Sequence, residues 1–197
     1  MSESGKAWKV EERMRRRGVW KEGHFVLASG RHSGQFMQCA QLLQYPQEAE
    51  EVGKALAELF QDKQVDVVIG PALGGVIIAH ETARVFNVRC LFAERKEGGM
   101  GLRRGFHVRP EERVLVIEDV VTTGGSVQEV IHLMEEQGAN IVGIGAIVDR
   151  SGGKASFDYP FRSLLRHRIQ TYEPRECPLC KQRVPIEKPG TRQNSRA

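Results

Sequence analysis

The chain has 197 residues, 40% hydrophobic and 27% charged, the balance of one globular domain rather than of a disordered chain. Its 29 Lys and Arg against 25 Asp and Glu leave +4, an excess that suits a polyanionic small substrate as well as a nucleic acid. Apolar runs such as 65–69 and 114–117 are far short of the roughly 20 residues that span a bilayer. The first eight residues lack the apolar core of a signal peptide, so a cytoplasmic location is expected.

In chain order, residues 7–17 have charged, helix-favouring composition and end at Gly18, which predicts a short helix. Short strands are expected at 24–27 and 35–38, around the turn Ser29-Gly30-Arg31-His32-Ser33-Gly34. Over 46–60 the residues Ala49, Val52, Ala55, Leu56, Leu59 and Phe60 recur at helical spacing behind Pro46, which fits a first-turn proline. Strands at 65–69, 88–92, 114–117 and 141–148 then alternate with helices at 74–86 and 126–137, the second closed by Gly138. Continuous apolar strands between helices indicate an α/β fold with a mostly parallel sheet covered on both faces. Ligands of such sheets bind beyond the carboxyl ends of the strands. The glycine-rich, charged stretch 94–105 is expected to be a mobile loop. The segment 181–197 carries Lys181, Arg183, Lys188, Arg192 and Arg196 against Glu187 and is expected to be extended and partly disordered. There is no internal repeat. The organisation expected is one domain over 1–170, with a small hood contributed by about 18–45, followed by a basic tail over 171–197.

The most informative segment is Val114-Leu-Val-Ile-Glu-Asp-Val-Val-Thr-Thr-Gly-Gly-Ser-Val127. An apolar strand delivers two adjacent carboxylates, and a Thr-Thr-Gly-Gly-Ser loop then opens a helix. Backbone N–H groups, hydroxyls and the helix N-terminus together suit a phosphate. Glu118 and Asp119, above the sheet edge, are placed to accept hydrogen bonds from vicinal hydroxyls. The segment is neither a P-loop nor a dinucleotide fingerprint, since it has neither Gly-Lys-Ser/Thr nor Gly-x-Gly-x-x-Gly.

This string resembles the signature of type I phosphoribosyltransferases, which bind 5-phosphoribosyl 1-diphosphate (PRPP). The resemblance implies that Thr122, Thr123, Gly124, Gly125 and Ser126 hold the 5-phosphate, with Val120 and Val121 in the same PRPP-binding segment. It implies that Glu118 and Asp119 contact the ribose hydroxyls. Four further elements, in family order over about 18–150, resemble orotate phosphoribosyltransferases. Residues 25–33 match a Phe-x-Leu-x-Ser-Gly-x-x-Ser element, which puts Ser29 and Gly30 at the orotate site. Gly70-Pro-Ala-Leu-Gly-Gly75 resembles the pyrophosphate loop and assigns Leu73, Gly74 and Gly75 to PRPP. Phe92-Ala-Glu-Arg-Lys96 resembles the start of the catalytic loop, with Arg95 and Lys96 on pyrophosphate. Asp149-Arg150 stands where the family has the arginine that holds orotate's carboxylate, a group a forked guanidinium binds bidentately, and Thr122 is implied to reach the same base.

The implied reaction is phosphoribosyl transfer from PRPP to N1 of orotate, giving orotidine 5′-monophosphate and pyrophosphate in pyrimidine biosynthesis. Mg²⁺ is the implied cofactor, bridging substrate oxygens and water rather than held in a protein cage. A homodimer that shares its loops is the implied partner state, and nucleic acid is not an expected ligand. Lys96, Arg103, Arg104 and Asp119 are the implied catalytic set. The chain departs from the family pattern Lys-x-x-Lys-x-His-Gly, reading Lys96-Glu-Gly-Gly-Met-Gly-Leu-Arg-Arg104, which leaves Arg103 and Arg104 as alternatives for the missing cation. Ala28 also stands where many relatives have a PRPP-contacting lysine. Two alternatives remain at this point: an enzyme of the same fold acting on a purine or another base, and a PRPP-sensing regulator that uses basic patches such as Arg15-Arg-Arg17 on nucleic acid.

Four cysteines are too few for a disulfide scaffold in a chain of this length. Cys177-Pro-Leu-Cys180 is a single Cys-x-x-Cys pair, half of a four-cysteine zinc site. The nearest histidine in sequence, His167, leaves the ligand set incomplete, so zinc, a redox pair and plain thiols all stay open.

Overall fold

The computed structural model describes residues 3–27 and 29–189. Ala28, Arg192 and Arg196 lie outside them. Among the described residues, six strands form the central sheet and three form a smaller one. The central sheet runs β5(Gly99–Gly101), β4(Arg89–Lys96), β3(Val67–Pro71), β6(Arg113–Val121), β7(Asn140–Asp149), β8(Phe161–Arg166), and is parallel except for the β4–β5 pair. Chain order reverses direction across β3 and β6, so their carboxyl ends diverge into a crevice.

The helices form because their sequences give each of them one apolar face. α3(Pro46–Glu58) starts on its proline and buries Ala49, Val52 and Leu56. α4(Gly74–Phe86) has the expected bounds and stops at Asn87, whose left-handed φ of 54° is a conformation asparagine tolerates. These two pack with α1(Glu3–Arg16) and the short α2(Ala40–Leu43) on one face of the sheet. On the other face, α5(Gly125–Glu136) buries Val127, Val130, Ile131 and Met134. Each such side chain contributes roughly 1.5–3 kcal/mol when fully removed from water.

The hood is an antiparallel sheet of β1(Trp20–Val26), β2(His32–Met37) and β9(Thr171–Tyr172). Its strands β1 and β2 are longer than the sequence pattern suggests, because cross-strand pairing extends to Trp20 opposite Met37.

Two expectations need correction. Residues 94–105 are not one long loop: β4 continues to Lys96 and turns directly into β5, pairing Glu94 with Gly101 and Lys96 with Gly99. The basic tail expected from 171 is tied into the hood, since β9 pairs with β2. It holds α6(Pro178–Lys181), and residues 184–187 then lie along β1. There the Glu187 N–H donates to the His24 carbonyl (2.8 Å) and the Val26 N–H to the Glu187 carbonyl (2.9 Å). His167 also lies elsewhere than the Cys pair, its ring 4.3 Å from that of Trp20. The histidines beside Cys177 and Cys180 are His24 and His32, from the hood hairpin.

Candidate active site

Strand β6 carries the two acids further than a strand ending at Ile117 would. Because β7 runs on to Asp149, Glu118 stays in register with Ala146, and Val121 with Asp149. The acids are therefore held by sheet pairing and not by a free loop. Glu118 is 8% exposed and accepts a hydrogen bond from the Asp119 N–H at 3.0 Å. Asp119 Oδ1 accepts from the Val120 N–H at 2.8 Å. Burial pushes the Glu118 carboxyl well above the usual carboxylate range, and the neighbouring Asp119 charge adds to the effect.

The turn after β3 makes room for these carboxylates. A Cβ on Gly74 would sit 2.6 Å from Asp119 Oδ1, and one on Gly75 3.1 Å from Glu118 Oε1. Gly74 tolerates no side chain while Asp119 stays in place, and at Gly75 the Pro71 ring at 2.9 Å and the Ile117 carbonyl at 3.0 Å stand closer still. The same turn contains a cis peptide between Ala72 and Leu73, and Leu73 is 86% exposed.

On the other side of the crevice, Gly124 enters α5 with φ +83°, and a Cβ there would meet the Phe157 ring at 2.9 Å. Thr122 and Thr123 are exposed above this turn, and Thr123 Oγ1 accepts from the Gly125 N–H at 3.4 Å. A cleft of about 580 Å³ opens here, lined by the segment 120–127 together with Arg95, Glu118 and Glu129. It joins a buried acid to a helix N-terminus rich in N–H and hydroxyl donors, an arrangement suited to a phosphorylated polyol. Glu129 is invisible to sequence reasoning because nothing in its helical spacing marks it. It pairs with Arg95 at the cleft wall.

Arg150 follows β7, tied by its N–H to the Val121 carbonyl at 2.8 Å. Its Nε is buried and has no hydrogen-bond partner among the described residues. Burial lowers its pKa, the mark of a guanidinium short of solvent. Beneath the site lies Cys39, fully buried, within electrostatic reach of Asp119, Arg150 and Glu118. The structure thus brings Glu118, Asp119, Gly74, Gly75, the 120–126 segment, Arg95 and Arg150 to one end of the sheet.

The remaining expected residues stand apart. Arg104, at φ 59°, is held by Glu94 through two 3.0 Å hydrogen bonds and lies over the Phe92 ring. Arg103 and Lys96 are exposed and show no ion pair among the described residues. Ser29 and Gly30 form the exposed tip of the hood hairpin and are not among the residues lining the cleft.

Carboxylates with room for water are suitable donors for Mg²⁺, which keeps part of its hydration shell. The donor set at Glu118 and Asp119 fits that ion through substrate and water. No closed oxygen cage is present among the described residues, where the one metal-type cluster is a His/Cys group in the hood.

Residues 38–173 match the family described as phosphoribosyl transferase domain. The chain is 53% identical over 183 residues to an orotate phosphoribosyltransferase of Thermotoga maritima, covering 93% of this chain and 98% of that one. It is 56% identical over 171 residues to the enzyme of the same name from Caldicellulosiruptor saccharolyticus, covering 87% and 90%. The crystal structure of orotate phosphoribosyltransferase from Aeropyrum pernix shares the fold, with a TM-score of 0.67, 24% identity, and 80% and 93% coverage. A family match across the whole crevice-forming core and relatives above half identity over nearly the full length lead to one conclusion: the chain belongs to the phosphoribosyltransferase family, among the orotate phosphoribosyltransferases.

Proposed function

We propose that this chain transfers the phosphoribosyl group of PRPP to N1 of orotate. The observation that carries the reading is the cleft in which the buried Glu118, next to the half-buried Asp119, faces the Thr-Thr-Gly-Gly-Ser helix start, with Arg150 anchored beside it. The C1–O bond to pyrophosphate breaks, a C1–N1 bond forms, and the N1 proton leaves. The sugar passes through an oxocarbenium-like state, so the site must place both partners and stabilise the departing charge.

In this reading the N–H and hydroxyl groups of 122–126 bind the 5-phosphate, with Val120 and Val121 supplying the wall of the same segment. Glu118 and Asp119 hold the ribose hydroxyls, and backbone groups of Leu73, Gly74 and Gly75 receive the pyrophosphate. Mg²⁺, when bound, supplies charge neutralisation to the leaving pyrophosphate. Arg150 takes the orotate carboxylate, and its unpartnered Nε supports that role. Thr122, with Ser29 and Gly30 of the hood, completes the base site. Arg104 and Arg95 are engaged by Glu94 and Glu129, which makes Lys96 and Arg103 the available loop cations for the pyrophosphate.

A loop-sharing homodimer accords with the exposed apolar side chains Leu73, Ile77 and Val85 on and before α4. A cytoplasmic setting in pyrimidine biosynthesis follows from the substrate, and no helix of the described residues is long and apolar enough to cross a membrane. The regulatory alternative loses its main support, because Arg13, Arg16 and Arg17 converge on the buried Glu48 and Arg15 pairs with Glu11.

The test offers orotate, uracil, adenine, guanine and hypoxanthine separately, with PRPP and Mg²⁺, and follows nucleotide and pyrophosphate together. Nucleotide with orotate alone is the expected result. Turnover of another base overturns the substrate, and PRPP binding without turnover of any base overturns the enzymatic reading.

A further inference from the structure

The hood contains a cluster that the transfer reaction does not use. His24, His32, Cys177 and Cys180 each point one ligand atom inward, and these four atoms lie within 4.8 Å of one another. His24, His32 and Cys177 are buried and Cys180 is partly so. The distances are 2.9 Å between His24 Nε2 and His32 Nδ1, and 3.3 Å between Cys180 Sγ and His32 Nδ1. Cys177 Sγ and Cys180 Sγ lie 3.5 and 3.7 Å from His24 Nε2.

These lengths have a recognisable scale. A tetrahedral zinc with Zn–N of about 2.0–2.1 Å and Zn–S of about 2.3 Å separates its ligand atoms by about 3.3 Å for two nitrogens and about 3.6 Å for nitrogen and sulfur. The observed nitrogen–sulfur separations bracket that value, and the nitrogen pair is slightly shorter.

Protonation follows from the surroundings. His24 Nδ1 is 2.8 Å from the Val184 carbonyl, which only accepts, so Nδ1 carries the proton and Nε2 turns its lone pair inward. A metal-ligating histidine is typically oriented in this way by its second nitrogen. The carbonyl that does so belongs to the Cys-x-x-Cys turn itself, where the Val184 N–H donates to the Leu179 carbonyl at 3.0 Å. The two thiols stand three residues apart around α6, so they present on one side. Both cysteines are free thiols.

We propose that His24, His32, Cys177 and Cys180 form a structural Zn²⁺ site that fastens the C-terminal segment to the hood. On binding, two thiols release their protons to solvent and two thiolates with two neutral imidazoles close the coordination sphere. The site is electrically neutral overall, as a buried position requires. Two nitrogen and two sulfur donors suit zinc rather than Mg²⁺. Four protein ligands leave no open position for a substrate, which makes the role structural. Neither the acid pair nor the phosphate loop belongs to the cluster, so its test is separate from that of transfer.

The experiment uses the untagged full chain, purified without added metal and analysed for bound metals by mass spectrometry. About one zinc per chain is expected, as for a closed four-ligand site. Cys180→Ser, at the most accessible ligand, should lower the content at least tenfold while far-ultraviolet circular dichroism stays unchanged. In the wild type, chelation should lower the melting temperature and expose the segment after Tyr172 to protease, with zinc restoring both. Cobalt substitution should give the visible spectrum of a tetrahedral thiolate complex, a readout that does not depend on any variant folding. Zinc below a tenth per chain, both as isolated and after incubation with zinc salt, would overturn the site. So would a mass two hydrogens lighter, marking a Cys177–Cys180 disulfide in the native protein, or an octahedral cobalt spectrum.

Discussion

The two edges of the parallel sheet treat buried acids in opposite ways. At the amino-terminal edge, Glu112 is buried beside Arg89 and Arg109, and Asp66 before β3 is gripped by Arg113 at the start of β6. Burial alone would push Glu112 up, but Arg109's amide and guanidinium, with Arg89, bring it below the usual range. Hydrogen bonds from Arg113 hold Asp66 at about 2. At the carboxyl edge, Glu118 is equally deep, no arginine among the described residues pairs with it, and its pKa goes up. An acid that stabilises the fold comes with its counter-charge, whereas the acid at the candidate site is left for something that arrives later. The same rule separates Glu48, enclosed by three arginines, from Asp119, which has Gly74 beside it and no ion pair among the described residues.

Substitutions at the two edges should therefore fail differently. Asp119→Asn should cut transfer roughly 100- to 1,000-fold, the scale of losing one group that acts on developing charge, with an unchanged melting temperature. Steady-state rates and calorimetry on the same sample check this; full activity would remove Asp119 from the site. Glu112→Ala should do the reverse, costing on the order of 1 kcal/mol of stability by leaving the Arg109 N–H without its acceptor, while the remaining folded enzyme turns over normally. Urea unfolding read against specific activity distinguishes the two.

Arg150→Ala should raise the KM for orotate roughly tenfold or more while leaving that for PRPP unchanged, as loss of a charge-assisted hydrogen bond implies. Equal loss of both would contradict a role confined to the base.

The smallest effects concern pH, and there the edges have opposite signs. Asp66 has a lowered folded pKa, so its contribution is complete above the unfolded value and is lost as pH falls from about 4 towards about 2. Glu118 has a raised one, so it costs stability as pH rises above the unfolded value of about 4.3. Asp66→Asn should flatten the acid limb of the melting temperature against pH. Glu118→Gln should leave acid stability alone and raise the melting temperature at neutral pH, because the amide has no charge to bury, while weakening PRPP. A Glu118→Gln variant with an unchanged neutral melting temperature would show that burial does not strain this acid.

Much of this plan is visible in the residues. The helix over 74–86 has no competing signal, since its apolar periodicity, leading glycines and following Asn87 all agree, and its expected bounds coincide with the observed ones. The acid pair and the Thr-Thr-Gly-Gly-Ser turn are legible because their chemistry is contiguous in the chain. Strand β8 is not, because Phe161-Arg-Ser-Leu-Leu-Arg166 mixes polar and apolar residues at the end of the sheet order, where only part of the strand is buried. The β4–β5 turn resembles a loop because its glycines hide a pairing that depends on strand continuation. The hood cluster is hidden for a plainer reason. Sequence proximity singles out His167, while the actual neighbours of the cysteines lie 148 to 156 residues away. Long-range pairing of β9 with β2 brings them together, and no local pattern announces it.

That pairing also sets an order of events. His32 and Ser33 find their sheet partners in Tyr172 and Thr171, and His24 and Val26 find theirs in Glu187. Strands β1 and β2 precede the central sheet in the chain, yet the hood waits for residues that follow it. During synthesis the hairpin of β1 and β2 must persist with an open edge while the central sheet assembles behind it, since domains fold as their segments emerge and distant contacts form slowly. A chain released before residue 171 would thus carry a finished core beneath an unfinished hood, exposing a strand edge to other copies of itself.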